Sequence, residues 1–149
     1  TAFAVAGAGN CVVGTVGPQV VCITNTNGNQ LDFSSKHSAS ASLAYSTEIN
    51  SDWSLTSSID AQYRSKRFVS PDNLIWLPAY TNVDAQIGLE TEKYTVTLYG
   101  TNLLDYDKPT SAQTYGDPFI AAPLAPPVLA YTTYPADPRQ FGLRATIKF

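Results

Sequence analysis

The sequence predicts an all-β chain whose antiparallel strands form part of a transmembrane β-barrel, and three observations carry that prediction. Polar and apolar residues alternate with period 2 in five separate runs, the links between those runs are alternately short and long, and aromatic residues gather at the ends of the runs. Period 2 is the spacing of a strand with two unlike faces, because successive side chains of an extended chain point to opposite sides. Composition agrees, since of 149 residues 44% are hydrophobic and only 14% are charged, against roughly 25% charged in an average soluble domain. Uncharged groups carry the polar surface instead, with 29 Ser and Thr and 14 Asn and Gln.

Residues 1–35 show no clean alternation and read as a loop region. The stretch before Cys11 has neither the basic start nor the cleavage pattern of a signal peptide, and the lack of Met suggests a mature chain or a piece of something longer. Cys11 and Cys22 lie in one Gly/Asn/Thr-rich stretch without zinc-type spacing, so a local disulfide formed in an oxidising compartment is expected. A first strand follows over 36–47, with Ala39, Ala41, Leu43 and Tyr45 opposite Ser38, Ser40, Ser42, Ala44 and Ser46. After a tight link at 48–52, the run 53–64 sets Trp53, Leu55, Ile59, Ala61 and Tyr63 against Ser54, Thr56, Ser58, Asp60, Gln62 and Arg64.

A long link at 68–79 leads to a third strand, 80–90, with Val83, Ala85, Ile87 and Leu89 against Asn82, Asp84, Gln86 and Gly88. The link at 91–93 is short, and 94–101 continues with Tyr94, Val96 and Leu98 on one side, although Tyr99 breaks the alternation. Residues 102–138 hold seven of the ten prolines, so this segment is expected to add no ladder strands. The last run, 139–149, is the cleanest, with Phe141, Leu143, Ala145, Ile147 and Phe149 facing away from Gln140, Gly142, Arg144, Thr146 and Lys148.

Alternation alone would also suit a soluble sandwich or a lipocalin-like barrel with its apolar face turned inward. Three features favour lipid. Tyr45, Trp53, Tyr94 and Phe149 border the short-link side as an interfacial girdle would. Trp53 and Tyr63 share a face at a separation that gives roughly 23 Å of height in a tilted strand, close to an apolar band of about 25 Å. Short turns at one end and long loops at the other are the asymmetry of outer-membrane barrels. A helical membrane protein is excluded because no window approaches the required apolar length, and with nine basic against twelve acidic residues, net charge -3 and no basic cluster, nucleic acid is excluded as a partner.

The run Val83-Asp84-Ala85-Gln86-Ile87-Gly88-Leu89-Glu90, then Tyr94 to Asp105 with its Asn102-Leu103-Leu104-Asp105 segment, then Pro138-Arg139-Gln140-Phe141-Gly142-Leu143, ending at Phe149, resembles the last strands of a TonB-dependent outer-membrane receptor. The resemblance covers roughly 30–149. It implies a barrel of about 22 strands filled by an N-terminal plug and energised through a short periplasm-facing segment, with 36–149 supplying C-terminal strands of that barrel. Phe149 would then be part of the signal read by the barrel-assembly machinery. Implied partners are outer-membrane lipid, upstream strands and plug of the same receptor, and an energy-coupling protein, in the outer membrane of a Gram-negative bacterium with the long loops extracellular.

No catalytic constellation is assembled, no cofactor is implied, and the single histidine, His37, reads as incidental at a strand end. On the polar, lumen-facing side fall Asp60, Arg64, Lys66, Asp84, Arg144 and Lys148, expected chiefly to pair with one another because confined charges are costly unless compensated, with contact to a plug or a solute as the alternative. The long loops carry Trp76, Tyr80, Tyr106, Tyr115, Phe119, Tyr131 and Tyr134, which suit either a ligand face or packing of the loops on themselves. The function implied is energy-coupled uptake of a scarce, bulky solute such as a metal chelate or saccharide. The alternative is a structural or adhesive surface protein without transport.

Overall fold

The computed structural model describes residues 11–16, 19–24, 26–117 and 128–149, with side chains described for 26–113 and 131–149. Every described element is a strand: β1 (Cys11–Val16), β2 (Gln19–Thr24), β3 (Ser38–Glu48), β4 (Ser54–Arg64), β5 (Arg67–Phe68), β6 (Trp76–Leu77), β7 (Tyr80–Glu90), β8 (Tyr94–Thr101), β9 (Pro109–Asp117), β10 (Val128–Pro135) and β11 (Gln140–Ile147). The chain divides into two compact units. One comprises His37–Ser65, Ala79–Lys108 and Pro135–Phe149; the other draws on Thr1–Lys36, Lys66–Pro78 and Pro109–Tyr134.

The first unit is a five-stranded antiparallel sheet in the order β11-β8-β7-β4-β3, a meander in which the five alternating runs appear as neighbours. Its register stacks the apolar positions into rows: Leu43, Ile59, Ala85, Gly100 and Phe141 lie side by side, then Tyr45, Ser57, Ile87, Leu98 and Leu143, then Thr47, Leu55, Leu89, Val96 and Ala145. Agreement of five runs in one register is what a single apolar surface requires, because a slip of one residue would turn a whole strand inside out. That surface is uncovered, with Leu98 54% exposed and Phe141 and Leu143 each 70% exposed. The buried hydrophobics among the described residues, Val69, Leu77 and Ala112, all belong to the other unit. A soluble sandwich buries this face under a second sheet; here one layer presents it outward, as a barrel wall presents it to lipid.

Local chemistry closes the short turns. Asn50 Oδ1 accepts the backbone N–H groups of Asp52 and Trp53, both at 3.0 Å, and the Trp53 carbonyl accepts from Ile49 N at 2.8 Å, so Trp53 belongs to the turn and not to β4. Thr91 does the same between β7 and β8, its Oγ1 accepting from Tyr94 N at 2.9 Å. These are the side-chain-to-backbone bonds that make Asn and Thr turn residues.

The sheet is open, with β3 and β11 as its edges. Unpaired backbone groups cost several kcal/mol each in hydrocarbon, so further strands must lie against both edges in a membrane. We predict that in detergent micelles the 149-residue chain by itself protects the amides of β4, β7 and β8 from hydrogen exchange while the outward amides of β3 and β11 exchange freely. Full protection of both edges in a monomer would show the sheet closing on itself.

The second unit corrects two expectations. Residues 1–35 contain a hairpin, β1–β2, and 102–138 contain a ladder of their own, β9–β10. The prolines explain the latter, since Pro109 opens β9 and Pro135 ends β10 while the proline-free stretches between remain able to pair. In β1 and β2 the runs Cys-Val-Val and Val-Val-Cys-Ile place apolar residues at successive positions, which hides any period of 2. Around Val69, Leu77 and Ala112 pack Ile75 and Tyr131, and the buried Arg67 guanidinium donates to the Thr110 carbonyl. Asn73, at φ 59, joins two loops by exchanging bonds with the Gln30 backbone, 2.8 Å in each direction.

Candidate functional site

The polar face of the sheet is the surface that a barrel turns toward its lumen. From the long-link end it runs through rows Ser38, Arg64, Tyr80; Ser40, Gln62, Asn82; and Ser42, Asp60, Asp84. Two wider rows follow, Ala44, Ser58, Gln86, Tyr99, Gly142 and then Ser46, Thr56, Gly88, Thr97, Arg144. In these wider rows the face forms an open groove of about 330 Å³, lined by Ala44, Ser46, Thr56, Ser58, Gln86 and Thr97 with Tyr45 and Ser57.

The lumen charges are held differently from expectation. Asp60 and Asp84 stand directly across from each other on β4 and β7. Asp60 accepts the Ser42 hydroxyl, and Asp84 accepts Asn82 Nδ2 at 2.8 Å and the Asn102 backbone N–H at 2.9 Å. The Arg144 guanidinium lies 5.5 Å from the centre of the Tyr99 ring. Lys148 pairs with Glu90 at 2.7 Å, a partner outside the expected set. Lys66 leaves the face altogether, because β4 ends at Arg64 and its ammonium sits over Trp76 at 4.5 Å and Phe68 at 4.9 Å in the second unit. Neutral partners and rings thus satisfy most of these groups, where mutual pairing was expected.

The loop aromatics do not form one cluster. Tyr80 and Tyr106 meet in the sheet unit at 5.7 Å between ring centres, whereas Tyr131 packs on the second unit's core and Tyr134 Oη donates to Gln113 Oε1 at 3.4 Å. Trp76 carries the Lys66 ammonium. The Tyr115 side chain and Phe119 lie outside the described residues, and Phe149 follows β11 fully exposed. Cys11 and Cys22 have backbones in β1 and β2 but side chains outside the described set. Their register sets Cys11 across from Thr24 and Cys22 across from Val13. Such diagonal positions are roughly 7–8 Å apart at Cα, beyond the usual disulfide span of about 4.4–6.8 Å, so this pairing gives the expected disulfide no support.

Two features were not legible as sites. Tyr99, the residue that broke the alternation, fits the lumenal face because Gly142 lies across from it; a Cβ on Gly142 would stand 2.4 Å from the Tyr99 ring. We predict that Gly142→Ala destabilises the sheet by about 1–3 kcal/mol through overpacking and that adding Tyr99→Ala relieves most of this, as urea unfolding of the single and double variants will show. The second feature is Asn102, 6% exposed and at φ 48. Its Nδ2 donates to the carbonyls of Tyr106 and Asp137, each at 2.9 Å, and its Oδ1 accepts from Tyr106 N at 2.9 Å. With Arg139 Nη2 at 3.2 Å from Asp105 Oδ2, these bonds tie the Asn-Leu-Leu-Asp segment to the Pro-Arg segment that opens β11.

The family model described as "TonB dependent receptor-like, beta-barrel" matches residues 23–103, more than half of the chain. No curated protein and no solved structure matches. The matched span runs from the end of β2 through β3, β4, β7 and β8, the strands whose outward face is uncovered and whose inward face is polar. The chain therefore belongs to the TonB-dependent receptor-like β-barrel family as a barrel portion, and with that family it is part of a receptor or transporter in the outer membrane of a Gram-negative bacterium.

Proposed function

We propose that the chain forms part of the wall of a receptor that takes up a scarce, bulky solute, a metal chelate or saccharide among the candidates, by energy-coupled transport across the outer membrane. The observation that carries this reading is the coexistence, on the same five strands, of an uncovered apolar face and a polar face with a groove. One surface suits lipid and the other a wet lumen. The tight turns after β3 and β7 face the periplasm, and the long loops at 68–79 and 102–138 reach the extracellular side, as the length asymmetry of such barrels supports. Upstream strands and a plug complete the barrel, and an energy-coupling protein acts through that upstream part.

Deletion of the reading frame in the source bacterium tests this directly. Accumulation of labelled chelates and saccharides is followed with and without a protonophore. Uptake of one solute is expected to fall on deletion and on de-energisation alike. Unchanged uptake of every solute, or uptake that persists in de-energised cells, would overturn the reading.

A further inference from the structure

Of the asparagines in the chain, Asn27 is the one followed by glycine. Asparagine is thermolabile because the next residue's backbone nitrogen can attack its side-chain amide carbon, and the attack is fastest before glycine, where no Cβ obstructs the approach. The fold keeps this dipeptide open. Thr26, Asn27 and Gly28 are exposed, and a Cβ built on Gly28 would meet no heavy atom within 4 Å. They form a turn closed by the Asn29 N–H on the Thr26 carbonyl at 3.0 Å, with Gly28 at φ 84. Glycine in the third place of such a turn takes a positive φ without steric cost, and a turn closed by a solvent-exposed bond opens readily. Asn50, Asn73 and Asn102 precede Ser51, Leu74 and Leu103 instead, and their side-chain oxygens each accept a backbone N–H. Directly after the turn the chain is tied to residues 70–73: Asn29 Nδ2 donates to the Pro71 carbonyl at 2.7 Å, and Gln30 exchanges two bonds of 2.8 Å with the Asn73 side chain.

We propose that Asn27 is a self-modification site that converts with time to isoaspartate and thereby loosens the tie to residues 70–73, a property independent of what the receptor carries. The Gly28 nitrogen bonds to Asn27 Cγ and gives up its proton to solvent. The Cγ–Nδ2 bond breaks, and the amide nitrogen takes up a proton and leaves as ammonia, so that a cyclic succinimide remains. Water then opens the ring at either carbonyl. Attack at Cγ gives aspartate, whereas attack at the main-chain carbon gives isoaspartate, whose backbone runs through Cβ and Cγ and is one carbon atom longer. No oxidant or reductant takes part, and either product adds a negative charge to a chain of net charge -3. Only isoaspartate changes the length of the backbone. The added atom enters three residues before Gln30, whose N–H and carbonyl must both reach the one Asn73 side chain. A displaced backbone cannot keep both bonds, while the aspartate product leaves their geometry as it was.

The test incubates the intact receptor carrying this segment, purified in detergent, in mildly alkaline buffer. Peptide mass follows the exchange of –NH2 for –OH at each asparagine, and chromatography separates the isoaspartate and aspartate forms. Asn27 is expected to convert while Asn50, Asn73 and Asn102 do not, with isoaspartate the larger product, and Asn27→Ser should abolish the change. In receptor enriched in isoaspartate, hydrogen exchange at Gln30 N should speed up about three- to tenfold, the size expected for losing a hydrogen bond or two. Freshly prepared Asn27→Asp should exchange there as the unmodified chain does, and heat-modifiable gel mobility reports that every form is folded. Absence of conversion at Asn27 in the folded receptor, under conditions that convert it in the same chain unfolded in urea, would overturn the site. Equal exchange at Gln30 N in the isoaspartate and Asn27→Asp forms would overturn the loosening.

Discussion

Ile59→Arg is expected to lower the unfolding free energy of the receptor in lipid vesicles by about 2–4 kcal/mol. Ile59 is mid-strand in β4, within the apolar row Leu43, Ile59, Ala85, Gly100, Phe141, and it is 45% exposed on a face that no layer covers among the described residues. A guanidinium there must enter hydrocarbon or drag water toward it. Ser58→Arg, one residue away, points into the groove beside Gln86 and should cost well under half as much. Urea unfolding from vesicles gives both values. Equal costs would mean that the two faces do not differ in solvent, and the membrane assignment of the apolar face would fail. A soluble core would also reject Ile59→Arg, so lipid-phase photolabelling of cysteines at 58 and 59 completes the comparison, with labelling expected at 59 alone.

Asn102→Ala is expected to cost about 1–3 kcal/mol, because truncating this buried side chain leaves two carbonyls and one N–H without their partner. Alanine also tolerates the left-handed backbone at φ 48 less well than asparagine does. Asn102→Gly separates the two contributions, since it relieves the backbone and still lacks the amide. It should recover only the smaller part. Loss of hydrogen-exchange protection at Tyr106 N is the local signature, and unchanged protection there would show that the turn does not depend on the amide. Removing the exposed Asp105–Arg139 pair, by contrast, should change stability by no more than about 1 kcal/mol.

The sheet was legible because its constraint is one-dimensional. Each strand must place every second residue on the lipid side, and that requirement writes itself into residues such as Phe141, Leu143 and Ala145 with no reference to the rest of the chain. All five runs appear with limits within two residues of the alternation. The second unit is different. Its core gathers Val69, Leu77, Ala112 and Tyr131 from three separate segments, and no local period records such a convergence. The inward face was legible as polar but not as a site. Which of Asp60, Arg64, Asp84 and Arg144 finds which partner depends on cross-strand register, which brought Asp60 opposite Asp84 and Arg144 beside Tyr99. Asn102 was legible as part of the Asn-Leu-Leu-Asp segment but not as a clasp, for the same reason: its partners at Tyr106 and Asp137 are brought together by the fold of a long link.

The clasp at Asn102 also bears on the order in which the sheet assembles. The β3–β4 and β7–β8 hairpins close over the 49–53 and 91–93 turns, with Asn50 and Thr91 supplying bonds from within the turn itself, so both form from contacts close in sequence. β11 must instead find β8 across the 102–139 link, and closing a flexible loop of that length costs roughly 2 kcal/mol more entropy than closing the first turn. The Asn102–Asp137 bond, the Asp105–Arg139 pair and the Ala136 N–H to the Lys108 carbonyl at 3.3 Å act across the base of that link. Once they form, β11 begins beside the end of β8 as though it followed a tight turn, and the remaining ladder from Gln140–Thr101 to Ile147–Tyr94 can zip by local steps. Weakening the clasp should therefore slow the arrival of the β11 strand more than it slows either hairpin, which makes the long link a kinetic bottleneck whose height the Asn102 side chain sets.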